Sequence, residues 1–333
     1  MNRVSDLEQL VWDSSLSFVE KALAVFRYQV RQIPVYKDWV AARGVIAERV
    51  QRIEDIPFLP ISFFRTHPVY VEGVQPELVF ESSGTTGTAV SRHHVISADW
   101  YRQCLMLGFR QAYGDPADYH IAALLPSYLK QQHSSLVFMA NELMIHSATS
   151  TPYFFRQNVA ELQTLLQQWE QERRKVLLLG VTYALLDFAE GYRFSPDSSV
   201  VLMETGGMKG RRKEMIREEV HAVLKAKLGL SAIHSEYGMT EMMSQAYSQQ
   251  AGLYKPGPVM QVGCGDPADP GGVQFTPSTG QLYVIDLGNL YSCSFLQTDD
   301  YGKIYAGGQF EVLGRLQGSI TRGCNLMADG IRE

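Results

Sequence analysis

The sequence lacks the features that define several protein classes. No apolar run among its 333 residues approaches the length of a membrane span, and the polar N-terminus, with Asn2, Arg3 and Asp6, lacks the apolar core of a secretory signal. Its 30 Lys and Arg residues are outnumbered by 35 Asp and Glu residues, so the formal net charge of -5 creates no basic field that would attract nucleic acid. We therefore expect a cytoplasmic protein with no membrane span and no nucleic-acid partner.

Cysteine is also scarce. The four cysteines, Cys104, Cys264, Cys293 and Cys324, show neither Cys-x-x-Cys spacing nor a histidine at ligand spacing, so neither a zinc site nor a disulfide framework is indicated. We expect four free thiols, and the apolar neighbours of Cys104 place it on the core face of a helix.

The apolar content, at 45%, is sufficient for a sizeable core, and its spacing predicts an α/β protein. Residues 1–55 show the helical spacing of two or three helices, residues 56–250 form an α/β core, and residues 251–333 are rich in short alternating segments typical of antiparallel strands. Within the core, buried strands and helices alternate, which favours a parallel sheet. The predicted order is a helix over Gln157–Arg173, a strand over Val176–Gly180, a helix, a strand over Val200–Met203, a helix over Arg211–Lys227 and a strand over Ala232–His234.

A run of small hydroxyl and glycine residues follows the strand-like Leu78–Phe80. Glycine allows the backbone to approach an anion, and amide and hydroxyl groups in such a run can cradle phosphate oxygens. No Gly-Lys-Ser/Thr closes the run, so it is not a Walker motif, and an ordinary turn between strands is the alternative. The candidate phosphate-binding residues are Ser82, Ser83, Gly84, Thr85, Thr86, Gly87 and Thr88.

A second motif, Ser235–Glu241, comes directly after the predicted strand Ala232–His234. Ligands bind beyond the carboxyl ends of parallel strands, so a nucleotide is expected there. Tyr237 could stack on a base, Thr240 could bond a phosphate, and Glu241 could hold Mg2+. The alternative is a helix N-terminus that Thr240 caps.

Together these two motifs resemble those of the adenylate-forming superfamily, which includes acyl-CoA ligases, luciferases and peptide-synthetase adenylation domains. Ser-Ser-Gly-Thr-Thr-Gly-Thr and Tyr-Gly-Met-Thr-Glu occur in the family's order and about 150 residues apart. The resemblance implies the family's large-domain fold and the use of ATP and Mg2+ to convert a carboxylic acid to an acyl-adenylate. It also implies that Gly206 and Gly207 lie by the adenine, that Tyr237 and Gly238 contact the nucleotide, and that Asp300 and Arg315 hold the ribose.

Three departures from the superfamily pattern affect the expected chemistry. Ala89-Val90 replaces the lysine that usually follows the first motif, the acid usual after Gly314-Arg315 is missing, and the resemblance implies that the mobile C-terminal domain is lacking. Lys209, close in sequence to Gly206 and Gly207, is the candidate replacement for the missing positive charge. The alternative is that Lys209 belongs to a solvated basic turn with no role in the site.

Within the superfamily, the sequence is most similar to the acyl-protein synthetases of bacterial bioluminescence. The similarity rests on Ile56–Ile61, Leu125–Leu129, Gly207–Arg211 and Arg322-Gly323-Cys324. It implies a fatty acid substrate, transfer of the acyl group to Cys324, and a partner protein such as an acyl reductase that accepts the group. An acyl-CoA ligase of the phenylacetate type and a non-catalytic nucleotide-binding module remain alternatives.

Overall fold

The computed structural model describes residues 4–82, 90–126, 133–149, 151–155, 158–206, 215–267 and 272–316. They fall into two compact units, each assembled from separated segments of the chain. The first unit contains the described residues of Met1–Leu78, Ser91–Ser97 and Val259–Glu333, and the second contains those of Val79–Val90 and Ala98–Pro258. The division predicted from the sequence consists instead of three consecutive segments, residues 1–55, 56–250 and 251–333.

The described helices lie in both units. They are α1 (Val4–Trp12), α2 (Phe18–Gln32), α3 (Pro34–Ala42), α4 (Phe63–Thr66), α5 (Ala98–Tyr113), α6 (Ser135–Ile145), α7 (Val159–Gln171), α8 (Thr182–Phe188) and α9 (Arg217–Leu228). No helix among these described residues is long and apolar enough to cross a membrane.

The described strands are short in the second unit and longest near the C-terminus. They are β1 (Leu59–Pro60), β2 (Leu78–Glu81), β3 (Arg92–Val95), β4 (His120–Leu124), β5 (Tyr153–Phe155), β6 (Val176–Val181), β7 (Val200–Thr205), β8 (His234–Tyr237), β9 (Ala246–Ser248), β10 (Lys255–Pro256), β11 (Met260–Gly265), β12 (Ser278–Asp286), β13 (Phe295–Ile304) and β14 (Phe310–Arg315).

The first unit combines a mainly antiparallel sheet with the N-terminal helices. β11, β12, β13 and β14 pair antiparallel, as predicted for this region, and β1 joins β13 in parallel. Buried aromatic rings pack together, with Tyr36 of α3 stacked on Phe295 of β13 at 6.1 Å between centroids. Gln29 of α2 is fully buried. Its amide nitrogen donates to the hydroxyl of Ser294 and its amide oxygen accepts from the Ser294 backbone N–H, which holds α2 against the residue before β13.

The second unit is built on a seven-stranded sheet in the order β10-β9-β8-β7-β6-β4-β5. Pairs from β5 through β8 are parallel, which confirms the prediction from alternating strands and helices, and β9 and β10 are antiparallel. Every residue of β6, Val176–Val181, is buried, because an inner strand of a parallel sheet is covered on both faces. This sheet brings the carboxyl ends of β6, β7 and β8 to one edge.

One predicted strand is displaced in the structure. The sequence pattern predicts a strand over Ala232–His234, whereas β8 begins at His234 and continues through Tyr237. The prediction placed the strand too early because it followed the apolar residues Ala232 and Ile233. The residues that pair with β9 include the polar Ser235 and Glu236, and both are buried. The second motif therefore begins inside the strand, and only Gly238 onward follows it.

Gly280 on β12 occupies a place where a side chain has no room. A Cβ there would overlap the backbone carbonyl oxygen of Gly265, which cannot move as a side chain could. We expect Gly280→Ala to lower the free energy of unfolding by roughly 1–3 kcal/mol, because overpacking forces the two strands apart. Urea denaturation measures the change, and Gly314→Ala is the matched control, since a Cβ at Gly314 meets no atom within 4 Å. Equal losses in the two variants would contradict this explanation.

Candidate functional site

The ends of β7 and β8 lie side by side in the second unit. Met203 pairs with His234 and Glu204 with Ser235, so the residues that follow the two strands emerge at the same edge of the sheet. Gly206 follows β7 with φ of +69°, a left-handed conformation that favours glycine, and Tyr237 is the last residue of β8. The structure thus places Gly206 and Tyr237, both predicted nucleotide contacts, on adjacent strand ends.

A buried carboxylate lies directly below Gly206. The Thr182 hydroxyl, at the start of α8, is 2.9 Å from Oε2 of Glu204 and 2.6 Å from the carbonyl oxygen of Gly206. The other carboxylate oxygen of Glu204 is 3.6 Å from Arg217 Nε and 3.5 Å from His221 Nε2, both on α9. Glu204 therefore links the ends of β6 and β7 to helix α9.

The partners of Glu204 keep it ionised. Burial by itself raises the pKa of this carboxyl, but the hydrogen bond from His221, the charge of Arg217 and a hydrogen bond from Ser235 more than offset that effect, so the pKa lies below its usual value. A buried charge that loses its partners is costly, so this network is constrained to stay intact.

A second buried carboxyl, Glu236 of β8, has the opposite character. The Thr205 hydroxyl donates to its Oε2 at 2.5 Å, which ties β7 to β8 on the other face of the sheet from Glu204. Burial raises the pKa of Glu236 to about 7, the hydrogen bond from Thr205 lowers it, and the nearby charge of Glu204 raises it further. The two strand ends therefore carry one glutamate whose pKa is lowered and one whose pKa is raised to about 7.

Gly238 provides the space that the Glu236 carboxyl needs. A Cβ at Gly238 would lie 2.5 Å from Glu236 Oε1 and 3.5 Å from Gln245 Cγ. A side chain at position 238 would therefore force the Glu236 carboxyl to move.

Aromatic and charged groups surround Tyr237. Its ring centroid is 5.7 Å from that of Tyr254, and the guanidinium of Arg217 lies 5.2 Å from the Tyr254 centroid. Thr240 is half-buried and Glu241 is buried, at 5% exposure, just beyond the strand. Thr240 and Glu241 are adjacent in the chain, and a carboxylate and a hydroxyl are ligand types that suit Mg2+, although the described residues contain no group of three or more metal-binding side chains.

The ribose residues predicted from the resemblance are paired in the first unit. Asp300 of β13 and Arg315 of β14 lie directly opposite each other, and Arg315 Nε is 3.1 Å from Asp300 Oδ1. Asp300 is buried while the Arg315 side chain is 74% exposed, so the pair presents its guanidinium to solvent. The neighbouring Asp299 is 4.0 Å from Arg65, and burial raises the pKa of Asp299 against the lowering effects of Arg65 and Arg315.

Several predicted site residues lie outside the described part of the chain. Ser82, the first residue of the candidate phosphate run, is described and half-buried. The predicted site residues that lie outside the described part are Ser83, Gly84, Thr85, Thr86, Gly87, Thr88, Gly207, Lys209 and Cys324.

Sequence reasoning missed the polar network itself. Thr182, Glu204, Thr205, Arg217, His221 and Glu236 were not among the predicted site residues. The available signal was an acid at the end of an otherwise apolar strand, Val-Val-Leu-Met-Glu, because a carboxylate in such a position must be paired.

Comparisons with solved structures identify the fold. An open conformation of 2-hydroxyisobutyryl-CoA ligase, in complex with 2-HIB-AMP and CoA, is similar over 89% of this chain and 73% of that chain, with a TM-score of 0.63 and 13% identity. ATP-bound MatB from Rhodopseudomonas palustris matches 74% of this chain and 49% of its own, with a TM-score of 0.52 and 17% identity. The luciferase-like enzyme of the nonluminescent mealworm Zophobas morio matches 74% of this chain and 59% of its own, with a TM-score of 0.51 and 16% identity.

The chain therefore has the mixed α/β fold of adenylate-forming enzymes, and it spans about half the length of MatB. No protein-family profile and no curated protein sequence matches it.

The raised pKa of Glu236 predicts a pH dependence of stability. The pKa in the folded protein, about 7, exceeds the ordinary value of 4.5, so the contribution of this group is fully present below about pH 4.5 and is lost as the pH rises to about 7. We expect Glu236→Gln, which is neutral at every pH, to gain stability relative to the wild type over this interval. The gain is a few kcal/mol at most, since one pKa unit corresponds to about 1.4 kcal/mol.

Urea denaturation of both proteins at about pH 5 and about pH 8 measures the difference. Glu219→Gln, which removes an exposed carboxylate from α9, serves as the control and should follow the wild type at both pH values. A constant difference between Glu236→Gln and the wild type would show that Glu236 does not titrate in this interval.

Proposed function

We propose that the protein activates a carboxylic acid with ATP, forming an acyl-adenylate and pyrophosphate. The observation that carries the proposal is the Asp300–Arg315 pair, which two predicted ribose-binding residues form in a chain with the fold of adenylate-forming enzymes. The strand ends that carry Gly206 and Tyr237 give independent support, because nucleotides bind beyond the carboxyl ends of parallel strands.

The residues supply the groups that nucleotide binding requires. A buried carboxylate such as Asp300 can accept hydrogen bonds from both ribose hydroxyls, and the always-charged Arg315 can hold it in place. We propose that the Tyr237 ring stacks on the base and that the lack of a side chain at Gly206 lets the backbone lie close to the base.

In the first step, an oxygen of the substrate carboxylate attacks the α-phosphorus of ATP. The bond between the α-phosphorus and the bridging oxygen breaks, and pyrophosphate leaves with that oxygen. Thr240 and Glu241 fit a phosphate and a Mg2+ ion, which when bound would neutralise charge on the phosphates. Ser83, Thr85, Thr86 and Lys209 are proposed to spread the remaining charge.

In the second step, we propose that a thiolate attacks the acyl carbon and displaces AMP, forming a thioester. Three cysteines fit this role poorly. Cys104, Cys264 and Cys293 are buried, and burial raises the pKa of Cys264 to about 11 and that of Cys293 above its ordinary value, so their thiolates are scarce at neutral pH. We propose Cys324 as the acceptor because the sequence resembles acyl-protein synthetases, with later transfer of the acyl group to a partner such as an acyl reductase. The same resemblance favours a fatty acid as the substrate.

A CoA ligase is the second candidate. The similarity to the 2-hydroxyisobutyryl-CoA ligase structure, which contains CoA, favours it because that match extends over 89% of this chain. In this case free CoA supplies the thiolate, and Cys324 has no role in the transfer.

Exchange of labelled pyrophosphate into ATP tests the first step with a panel of carboxylic acids and Mg2+. Acid-dependent exchange would establish adenylation, and its absence with every acid would leave nucleotide binding alone.

The second step is tested by the intact mass of the protein after incubation with ATP, Mg2+ and the acid, without CoA. An acyl adduct that hydroxylamine removes, and that Cys324→Ser abolishes, supports an acyl-protein synthetase. A free acyl-CoA product without an adduct supports the ligase.

The ribose contact gives a mutational prediction. We expect Asp300→Asn to raise the KM for ATP by about tenfold or more, because the charge-assisted hydrogen bonds to the ribose and to Arg315 are lost. Asp299→Asn is the matched control, since this adjacent residue pairs with Arg65 at 4.0 Å, and it should change the KM by less than about twofold. Similar KM values for the two variants would exclude Asp300 as a ribose contact.

A further inference from the structure

The antiparallel pair β8–β9 carries a row of buried polar side chains on one face. Glu236 and Tyr247 are directly opposite each other in the register. The side chains of Glu236 and Gln245 both come within 3.5 Å of the place that a Cβ at Gly238 would occupy. Because side chains alternate along a strand, Gln245 and Tyr247 lie on the same face as Glu236. All three residues are buried, at 7% exposure or less.

Two of these side chains have an unsatisfied polar atom. Within the described part of the chain, neither Gln245 Oε1 nor the Tyr247 hydroxyl has a hydrogen-bond partner, although both atoms are buried. An unpaired buried polar atom costs free energy, so natural proteins keep one where a ligand or a water completes it. Two such atoms on residues 245 and 247, beside a carboxyl group, indicate a site prepared for a polar group.

The neighbours of these residues are already engaged or apolar. The Tyr247 ring packs edge-on against Phe109 and Tyr113 of α5, with centroids 6.2 and 5.4 Å away. The Tyr113 hydroxyl is 3.1 Å from Nδ1 of His234 and makes no hydrogen bond to Tyr247.

The chemistry of the row defines what it can bind. Gln245 Oε1 is an acceptor, and the Tyr247 hydroxyl both donates and accepts. Burial and the charges of Glu236, Tyr113 and Tyr101 hold the pKa of Tyr247 well above its ordinary value, so this hydroxyl keeps its proton. A neutral hydroxyl group matches this set, since it can donate to one residue and accept from the other. An unsubstituted alkyl chain would leave both atoms unpaired and desolvated.

We propose that Gln245 and Tyr247, with Glu236 beside them, form a subsite for a hydroxyl group of the acid substrate, so that the protein prefers hydroxy acids over the corresponding unsubstituted acids. The inference rests on the proposed function and narrows its substrate class. It places the subsite on the β8–β9 pair that also carries Tyr237, a predicted nucleotide contact.

The test compares matched acid pairs in the pyrophosphate exchange reaction: 4-hydroxybenzoate with benzoate, and 3-hydroxy- and 8-hydroxyoctanoate with octanoate. We expect kcat/KM to favour the hydroxy acid of at least one pair by about ten- to a hundredfold. Gln245→Met and Tyr247→Phe keep the side-chain volume and remove the polar atom, so each should bring the ratio of kcat/KM for the hydroxy acid to that for the unsubstituted acid towards one.

Tyr192→Phe is the control, because it removes a tyrosine hydroxyl that is bonded to Glu170 elsewhere in the same unit. It should leave the ratio unchanged. Ratios within about twofold for every pair in the wild type, or a wild-type ratio retained in Gln245→Met, would overturn the proposal and indicate that an internal water satisfies these atoms.

A binding measurement separates failure of the subsite from failure of the proposed function. If no acid supports exchange, the proposed function fails, and millimolar phenol and toluene are then compared as probes by their effect on Tm. A larger increase with phenol in the wild type, absent in Gln245→Met, supports the hydroxyl subsite. Equal increases with the two probes, or none, overturn it.

Discussion

The second unit depends on the ionised carboxylate of Glu204 at the end of β7. A charge buried to this degree is tolerated only while Arg217, His221 and Thr182 remain around it. Those partners come from two different helices, so satisfying one side chain fixes α8, α9 and the strand end relative to one another. The carbonyl of Gly206, within reach of the Thr182 hydroxyl, is positioned as a consequence.

Glu204 and Glu236 illustrate how one sheet edge can hold two acids in different states. Glu204 lies on the α9 face and is stabilised as an anion, whereas Glu236 lies on the opposite face with Thr205 as its bonded partner, and its pKa is raised to about 7. The charge of Glu204 contributes to this difference, because a second anion nearby is unfavourable.

The sequence predicted what depends on local pattern and on motif order. The apolar runs predicted β6 and β7, and the periodicity predicted α7. Asp300 and Arg315, named from the motifs, lie opposite each other on β13 and β14, and their role in binding a ribose stays a prediction. The start of β8 was predicted wrongly because its buried residues are polar. The partners of Glu204 could not be predicted because they are distant in the chain, from 13 residues for Arg217 to 31 for Ser235, and meet only in the folded protein. The unpaired atoms of Gln245 and Tyr247 likewise have no signature in a single sequence.

In the proposed function, the Glu204 network holds the ends of β7 and β8 in the positions that nucleotide binding requires. Titration calorimetry of Mg-ATP binding to the wild type and to Glu204→Gln tests it most directly, with circular dichroism to verify that the variant is folded. The account predicts that folded Glu204→Gln binds ATP at least about tenfold more weakly, because a neutral amide no longer holds Arg217, His221 and Thr182 in their places. A folded variant with wild-type affinity for ATP would contradict it.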